Sequence, residues 1–260
     1  MSSTVVITGA SSGIGRALAY AWAERGATVV LSARGARELA ELARDIEVAG
    51  GKAIVEPGDV TREEDRRALI DAARTKTGRI DVLVNNAGRG FYGSVANIDP
   101  DELLGLFALN VVAPLRLAQL AIDPLTRTGG TIVMMSSLAG VTAAPRMGAY
   151  SASKFALEAL SMSLRAELGG TGVRVVVVRP GPVDTSFRAN SVTTDGRAGV
   201  RPPGARIQTA QDVALQTLRA VDRGSSVLET TPFVRVTSAA SRVAPGLMRR
   251  VYSVMASRAS

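Results

Sequence analysis

Six short aliphatic runs, each followed by a stretch of helical period, limit what this chain can fold into. Val5–Thr8, Thr28–Ser32, Ala53–Glu56, Val82–Asn85, Ile132–Ser136 and Val173–Val178 are rich in Val and Ile and do not alternate with polar residues. Strands of that kind are buried on both faces, which requires helices on both sides of the sheet. The segments Ile14–Arg25, Arg37–Ala49, Glu63–Thr77, Asp101–Ala121 and Ala149–Leu168 supply them. The alternation predicts an α/β fold, a single doubly wound parallel sheet with helices on both faces. Ser186–Ile207, rich in Arg, Gly, Pro and Thr, reads as a mobile loop. Beyond it, Thr209–Asp222 resumes a helix and Val227–Leu228 offers a last strand.

Two residue types are missing, and that narrows the chemistry. The chain has no His and no Cys. Ser-His-Asp and Cys-His catalysis, disulfides, and metal sites built on those ligands are excluded, and no metal is expected. Catalysis has to come from Ser, Thr, Tyr, Lys, Arg or carboxylates. Only Lys52, Lys76 and Lys154 are lysines among 31 basic residues. The net charge of +8 is uneven, because Thr230–Ser260 holds five Arg and no acid. No basic cluster is interleaved with aromatics, so nucleic acid is not an expected partner.

The first run leads directly into Thr8-Gly9-Ala10-Ser11-Ser12-Gly13-Ile14-Gly15, where a helix begins. Glycines permit a tight turn and close approach of backbone to a pyrophosphate, and a helix N-terminus offers free N–H groups. The spacing G-x-x-x-G-x-G differs from the usual G-x-G-x-x-G of dinucleotide sites, and alone it fits an ordinary turn equally well. After the second run, Ser32-Ala33-Arg34 carries no acid to take a ribose 2′-hydroxyl. Arg34 suits a 2′-phosphate, so NADP is expected over NAD. Tyr150-Ser151-Ala152-Ser153-Lys154 places Lys154 one helical turn from Tyr150 on the same face. That helix follows the fifth run, which leads into Ser136-Ser137, and lies downstream of the polar turn Asn85-Asn86-Ala87-Gly88. In an open α/β sheet the strand carboxyl ends meet at the ligand crevice, so these pieces converge there.

Together, Thr8 with Gly9-x-x-x-Gly13-x-Gly15, Asn86-Ala87-Gly88, Ser137, Tyr150-x-x-x-Lys154 and Pro180-Gly181 resemble the short-chain dehydrogenase/reductase family, whose fold is Rossmann-like. The resemblance covers roughly residues 4–230. It implies an NADP-dependent oxidoreductase that moves hydride reversibly between nicotinamide and a carbonyl or secondary alcohol. Tyr150 would be the general acid/base. Lys154 would lower the phenol pKa and hold the nicotinamide ribose, and Ser137 would hydrogen-bond the substrate oxygen. Asn110 would anchor a water linking Lys154 to solvent. Pro114, four residues on, has no N–H to give the Asn110 carbonyl, which suits that role and a plain kink equally. The cofactor contacts implied are Gly9, Ser11, Ser12, Gly13, Ile14, Gly15, Arg34, Asp59, Val60, Asn86, Ala87, Gly88, Tyr150, Lys154, Pro180, Gly181, Val183 and Thr185. Arg179 reads as structural. The alternative is a non-catalytic dinucleotide-binding sensor or scaffold with the same fold.

Residues 1–230 are expected to form the dinucleotide-binding and catalytic domain, and 231–260 a basic amphipathic extension of it. There, Pro245-Gly246 separates two pieces, and Leu247, Met248, Val251, Tyr252 and Met255 recur at helical spacing opposite Arg. A helix capping the pocket or packing on a partner subunit is the favoured reading; an anchor on anionic lipid is the sharper one. The helices carrying Leu103–Leu109 and Phe155–Leu164 are too apolar for one sheet face to cover, so a homodimer or homotetramer is expected. Pocket walls drawn from Ser94–Asn97, Leu138–Met147 and Ser186–Ile207 suit a largely apolar small-molecule carbonyl or alcohol. Because the first strand runs straight into the glycine turn, no leader is expected ahead of it and the location is expected to be cytoplasmic.

Overall fold

The computed structural model describes residues 2–194 and 206–259, of which 247, 249 and 255–259 are described as backbone only. Seven parallel strands form the main sheet: β1 Thr4–Thr8, β2 Thr28–Ser32, β3 Lys52–Val55, β4 Val82–Asn85, β5 Thr131–Met135, β6 Arg174–Arg179 and β7 Val227–Glu229. Their order is β7-β6-β5-β4-β1-β2-β3. Val5 lies between Val29 of β2 and Val82 of β4. The chain returns to the sheet centre between β3 and β4, so strand order reverses beside β1, where such sheets open a ligand crevice at the strand carboxyl ends.

Side chains alternate across the pleat and fill two cores. Val5 and Ile7 pack with Leu18 of α1 (Gly13–Ala23), Leu39 and Leu42 of α2 (Ala36–Val48) and Val213 of α7 (Ala210–Asp222). Val6 faces the other way, toward Leu69 of α3 (Glu63–Thr77), Leu117 of α5 (Ala113–Thr128) and Leu157 of α6 (Gly148–Glu167). Two-sided burial is why the strands read as unbroken aliphatic runs. Two helices close the chain, α8 (Pro232–Val243) and α9 (Pro245–Ala259), divided at Pro245-Gly246 as expected.

The helix expected over Asp101–Ala121 differs from that reading. It comprises α4 (Pro100–Phe107), a π segment Ala108–Val112, and α5. The Ala113 N–H reaches back to the Ala108 carbonyl, so one extra residue is accommodated just before Pro114, which has no N–H to continue the regular ladder. The helix then runs past Pro124 to Gly129, whose left-handed conformation (φ 61) ends it. By length and composition Pro100–Thr128 could cross a membrane. Its inner face instead packs on the sheet, while Leu104 and Val112 face outward.

The loop expected to be mobile is pinned where it is described. Val192–Thr193 pairs in parallel with Phe91–Tyr92, and Gln208–Thr209 with Val183–Asp184. Gly90 and Gly93 make the first pairing possible. A Cβ on Gly90 would lie 2.3 Å from Ser191 Oγ, and one on Gly93 2.4 Å from Thr194 Oγ1. Residues 195–205 of that loop lie outside the described residues, as do the side chains of Leu247 and Met255.

Candidate active site

At the carboxyl ends of the strands lies a cavity of about 1250 Å³. Its floor is the turn after β1. Gly9 and Gly13 adopt positive φ (64 and 53), which only glycine takes without strain. Ser12 is the N-cap of α1 but makes no side-chain cap bond, so the first-turn N–H groups are left for a ligand. Asn86 fastens the turn from the neighbouring strand end. Its Nδ2 donates to the carbonyls of Thr8 (3.0 Å) and Gly9 (3.2 Å), while Thr8 Oγ1 accepts from the N–H groups of Asn86 and Ala87.

Seventeen of the eighteen expected cofactor positions line this cavity, all but Gly15: those from Gly9 to Ile14, Arg34, Asp59 and Val60 at the β2 and β3 ends, Asn86–Gly88, Tyr150 and Lys154, and those from Pro180 to Thr185. Gly15 does not. A Cβ there would lie 2.2 Å from the Gly9 carbonyl oxygen and 2.6 Å from Asn86 Nδ2, so this glycine lets the helix sit against the turn rather than touching a ligand. Asn110 is also behind the wall. It is buried in the π segment, accepting from the Arg89 N–H and donating from Nδ2 to the Arg89 carbonyl and Ser153 Oγ, all at 3.0–3.1 Å. Through Arg89 it fixes the chain just after Gly88. The cradle, the uncapped helix and the cavity together fit a dinucleotide.

The far end of the cavity holds Arg34, Asp59 and Val60. Burial resists ionisation of Asp59, but hydrogen bonds from Thr61 and the charge of Arg34 hold its carboxyl below the usual range. Glu38 lines the same end. It sits in the first turn of α2, four residues past Arg34, and its carboxylate lies over Gly35, where an added Cβ would meet Oε2 at 2.4 Å. The strand end itself has no acid, so this one escaped the sequence reading.

The middle of the cavity carries the titratable groups. Ser137 follows β5 at the start of a short 3₁₀ turn, and its Oγ accepts from the Ala139 N–H. The same hydroxyl hydrogen-bonds Tyr150. Burial pushes the Tyr150 phenol above its ordinary value; the Ser137 hydrogen bond opposes this and the nearby Tyr92 phenol adds to it. Lys154 Nζ lies 5.9 Å from the Tyr150 ring centroid and donates to the Met135 carbonyl at 2.8 Å. Burial pulls its pKa down to about 8, with the Glu158 carboxylate, one turn further along, working the other way.

Glu158 belongs to a buried ion cluster. Arg179 Nε and Nη2 donate to its two oxygens at 2.9 and 2.8 Å, and Arg179 Nη1 donates to Glu229 at 3.0 Å. The cluster ties α6 to β6 and β7 beside the Pro180-Gly181 turn, so Arg179 has a structural place. On the substrate side of the cavity the sequence reading missed Tyr92, whereas Phe187 and Arg188 belong to the Ser186–Ile207 loop that it named as a wall. Tyr92 is buried next to Tyr150, Phe187 stacks at a tilt on Tyr150 with centroids 5.9 Å apart, and the Arg188 guanidinium lies 6.0 Å from the Tyr92 ring centroid. Ser136 Oγ, Ser151 Oγ and Arg89 Nε are buried without a protein partner, and all three residues line the cavity. A two-residue strand carries no periodicity, so no signal marked Tyr92. From the closing helices, Phe233, Val236, Thr237, Ala240, Met248, Val251 and Tyr252 complete the wall.

Residues 3–196 match the family model for short chain dehydrogenases. The chain is 35% identical over 256 residues to a ketoacyl reductase, HetN, from a Nostoc species, covering 96% of this chain and 88% of that protein. An alcohol dehydrogenase from Thermococcus sibiricus, solved with 5-hydroxy-NADP, superposes with TM-score 0.77 at 27% identity, covering 88% of this chain and 95% of that one. A short-chain dehydrogenase/reductase from Burkholderia phymatum, solved with NAD, gives 0.82 at 26% identity and covers 95% of both chains. A parallel sheet with this strand order, a glycine turn built for a dinucleotide and these likenesses agree: the chain belongs to the short-chain dehydrogenase/reductase family of NAD(P)-dependent oxidoreductases.

Proposed function

We propose that this protein is an NADPH-dependent carbonyl reductase, reversible toward the secondary alcohol, with Tyr150 as the proton donor. The observation that carries this reading is the Ser137–Tyr150 hydrogen bond in a cavity that also holds the glycine turn and Lys154. When bound, NADPH supplies the hydride. Ser137 and Tyr150 present two hydroxyls to one point, where a carbonyl oxygen accepts a hydrogen bond from each. Burial keeps the phenol protonated, which is the form that reduction consumes. An alkoxide is far more basic than a phenolate and takes the Tyr150 proton. The Lys154 ammonium then steadies the phenolate, and a pKa near neutrality lets the amine pass its own proton onward. Asn110, in the π segment beside Gly88, is the proposed holder of the water that connects Lys154 to solvent.

NADP preference rests on Arg34, against the opposing presence of Glu38 and Asp59. NADPH should bind about tenfold tighter than NADH, roughly 1.4 kcal/mol. Equal affinities by fluorescence titration would remove Arg34 from the phosphate. The apolar wall around Tyr150 favours a medium-sized apolar ketone. With a panel of such ketones, Tyr150→Phe should keep cofactor affinity and lose turnover by about 10²–10⁴-fold. Full activity in that variant overturns the mechanism, and cofactor binding without turnover on any substrate favours a sensor. We further propose a two-fold pairing of α4, with the π segment that follows it, and α6, which together leave Leu104, Val112, Phe155 and Met162 exposed. Light scattering should give a dimer or tetramer at micromolar concentration; a monomer refutes it.

A further inference from the structure

We propose that α8 and α9 seat this protein on an anionic bilayer, so that the substrate cavity opens toward the lipid. The inner faces of both helices are already used. Val234 and Ser238 are buried, Phe233, Val236, Thr237 and Ala240 of α8 line the cavity with Met248, Val251 and Tyr252 of α9, and Val236 and Val251 stand at its exposed rim. The outward stripe of α8 has no such use. Arg235, Ala239, Arg242 and Val243 recur at helical spacing and are all exposed, Val243 by 84%. On α9, Arg250 and Val254 are exposed as well. Arginine interleaved with aliphatic side chains on one outward surface matches a headgroup–acyl boundary, where guanidinium meets phosphate and valine enters the apolar layer.

Charge decides between occupants of this face. The segment after Glu229 holds five Arg and no acid. A second copy packed on the same face by two-fold symmetry would set those arginines against themselves. An acidic protein would satisfy the charge but gives no reason for valines between the arginines. An anionic membrane satisfies both.

The cavity geometry suits a lipid-borne substrate, and this part rests on the reductase reading above. A second, apolar groove of about 610 Å³ adjoins the main cavity, and Thr142, Ala144, Met248 and Tyr252 line both. Its remaining wall includes Val95, Val141, Ala143 and Pro145, with Arg146, Ser241 and Ser253 as its polar members. A carbonyl at Tyr150 could extend an acyl chain beneath α9 toward the bilayer.

The test is sedimentation of the full chain with vesicles of phosphatidylcholine alone or mixed with phosphatidylglycerol, at low and at physiological salt. The intact protein should bind the mixed vesicles, bind neutral ones weakly, and weaken as salt rises. Each arginine at the surface accounts for about a fivefold change, so Arg235→Gln with Arg242→Gln and Arg250→Gln should lose on the order of a hundredfold. Val243→Glu, a single exposed change, should lose binding too and guards against misfolding of the triple variant. Unchanged melting temperature and NADPH affinity in these variants show that the fold and the cofactor site survive. No binding of the intact protein, equal binding to neutral vesicles, or full binding by the variants overturns the proposal. So does a change of oligomeric state in the arginine variant, which would assign the face to a second copy. Vesicle binding is read without turnover, so a failure of the reductase reading leaves the membrane result standing, and the reverse.

Discussion

Lys154→Met should make the apo protein more stable at pH 7 and less stable at pH 10. Lys154 is 4% exposed, and its folded pKa is about 8 against an ordinary value of 10.5. A lysine whose folded pKa is depressed binds its proton less tightly in the folded state. Its unfavourable contribution is therefore complete below pH 8 and disappears as pH rises through the window from about 8 to 10.5. At about 1.36 kcal/mol per pH unit, the cost at neutral pH is on the order of 3 kcal/mol. Methionine fills similar space without charge. It forfeits the hydrogen bond from Nζ to the Met135 carbonyl, a charge-assisted bond worth about 1.5–3 kcal/mol. The net gain at pH 7 is on the order of 1 kcal/mol, or a few degrees in melting temperature for a domain of this size. Above pH 10 the native lysine has shed its proton in the folded state, so the variant keeps only the loss. Urea denaturation of both proteins at pH 7, 8.5 and 10, without cofactor, reads the difference directly. A stability gap that does not change with pH would show that Lys154 is not strained by burial, and the assignment would fail. Turnover should collapse in the same variant, because a side chain that costs stability here serves the chemistry.

Arg34→Asp should invert cofactor choice, from NADPH tighter to NADH tighter, since a carboxylate repels the 2′-phosphate and accepts from ribose hydroxyls; an unchanged ratio by fluorescence titration refutes the assignment. Arg179→Met leaves the Glu158 and Glu229 carboxylates without their common partner, and the loss of about 3–5 kcal/mol should lower the melting temperature by roughly 10 °C. A shift under about 3 °C would mean that water replaces the guanidinium. Gly15→Ala sets a Cβ against the Gly9 carbonyl and should weaken NADPH binding by at least tenfold, because the whole turn must move; native affinity by calorimetry would show that the turn yields freely.

The sheet was legible because physics writes it twice, once in unbroken aliphatic strands and again in helices whose buried faces recur at three and four. The glycine turn, Asn86 and Ser137 were legible because each lies just past a strand end, and Tyr150 and Lys154 because a spacing of four puts them on one face of a helix. What stayed hidden depends on how the backbone turns after a strand, or on contacts between segments distant in sequence. Glu38 reaches the cofactor end only because α2 starts immediately after Arg34 and folds its first turn back over Gly35. Tyr92 sits on two residues that become a strand only when Val192–Thr193 arrives, and they pair because Gly90 and Gly93 lack side chains. Pro114 announced a disturbance near Asn110, but the sequence could not say that it takes the form of an inserted residue. That form matters to the chemistry: the π segment turns the Asn110 side chain onto both backbone groups of Arg89, and so braces Gly88 from behind. Gly88 can be braced there because an added Cβ would lie only 3.1 Å from Asn110 Oδ1 and 3.7 Å from Lys154 Nζ. Lys154 Nζ and the Asn110 side chain thus both border the space that a side chain at Gly88 would fill, and the proposed relay between Lys154 and the π segment uses the room left by that missing methyl group.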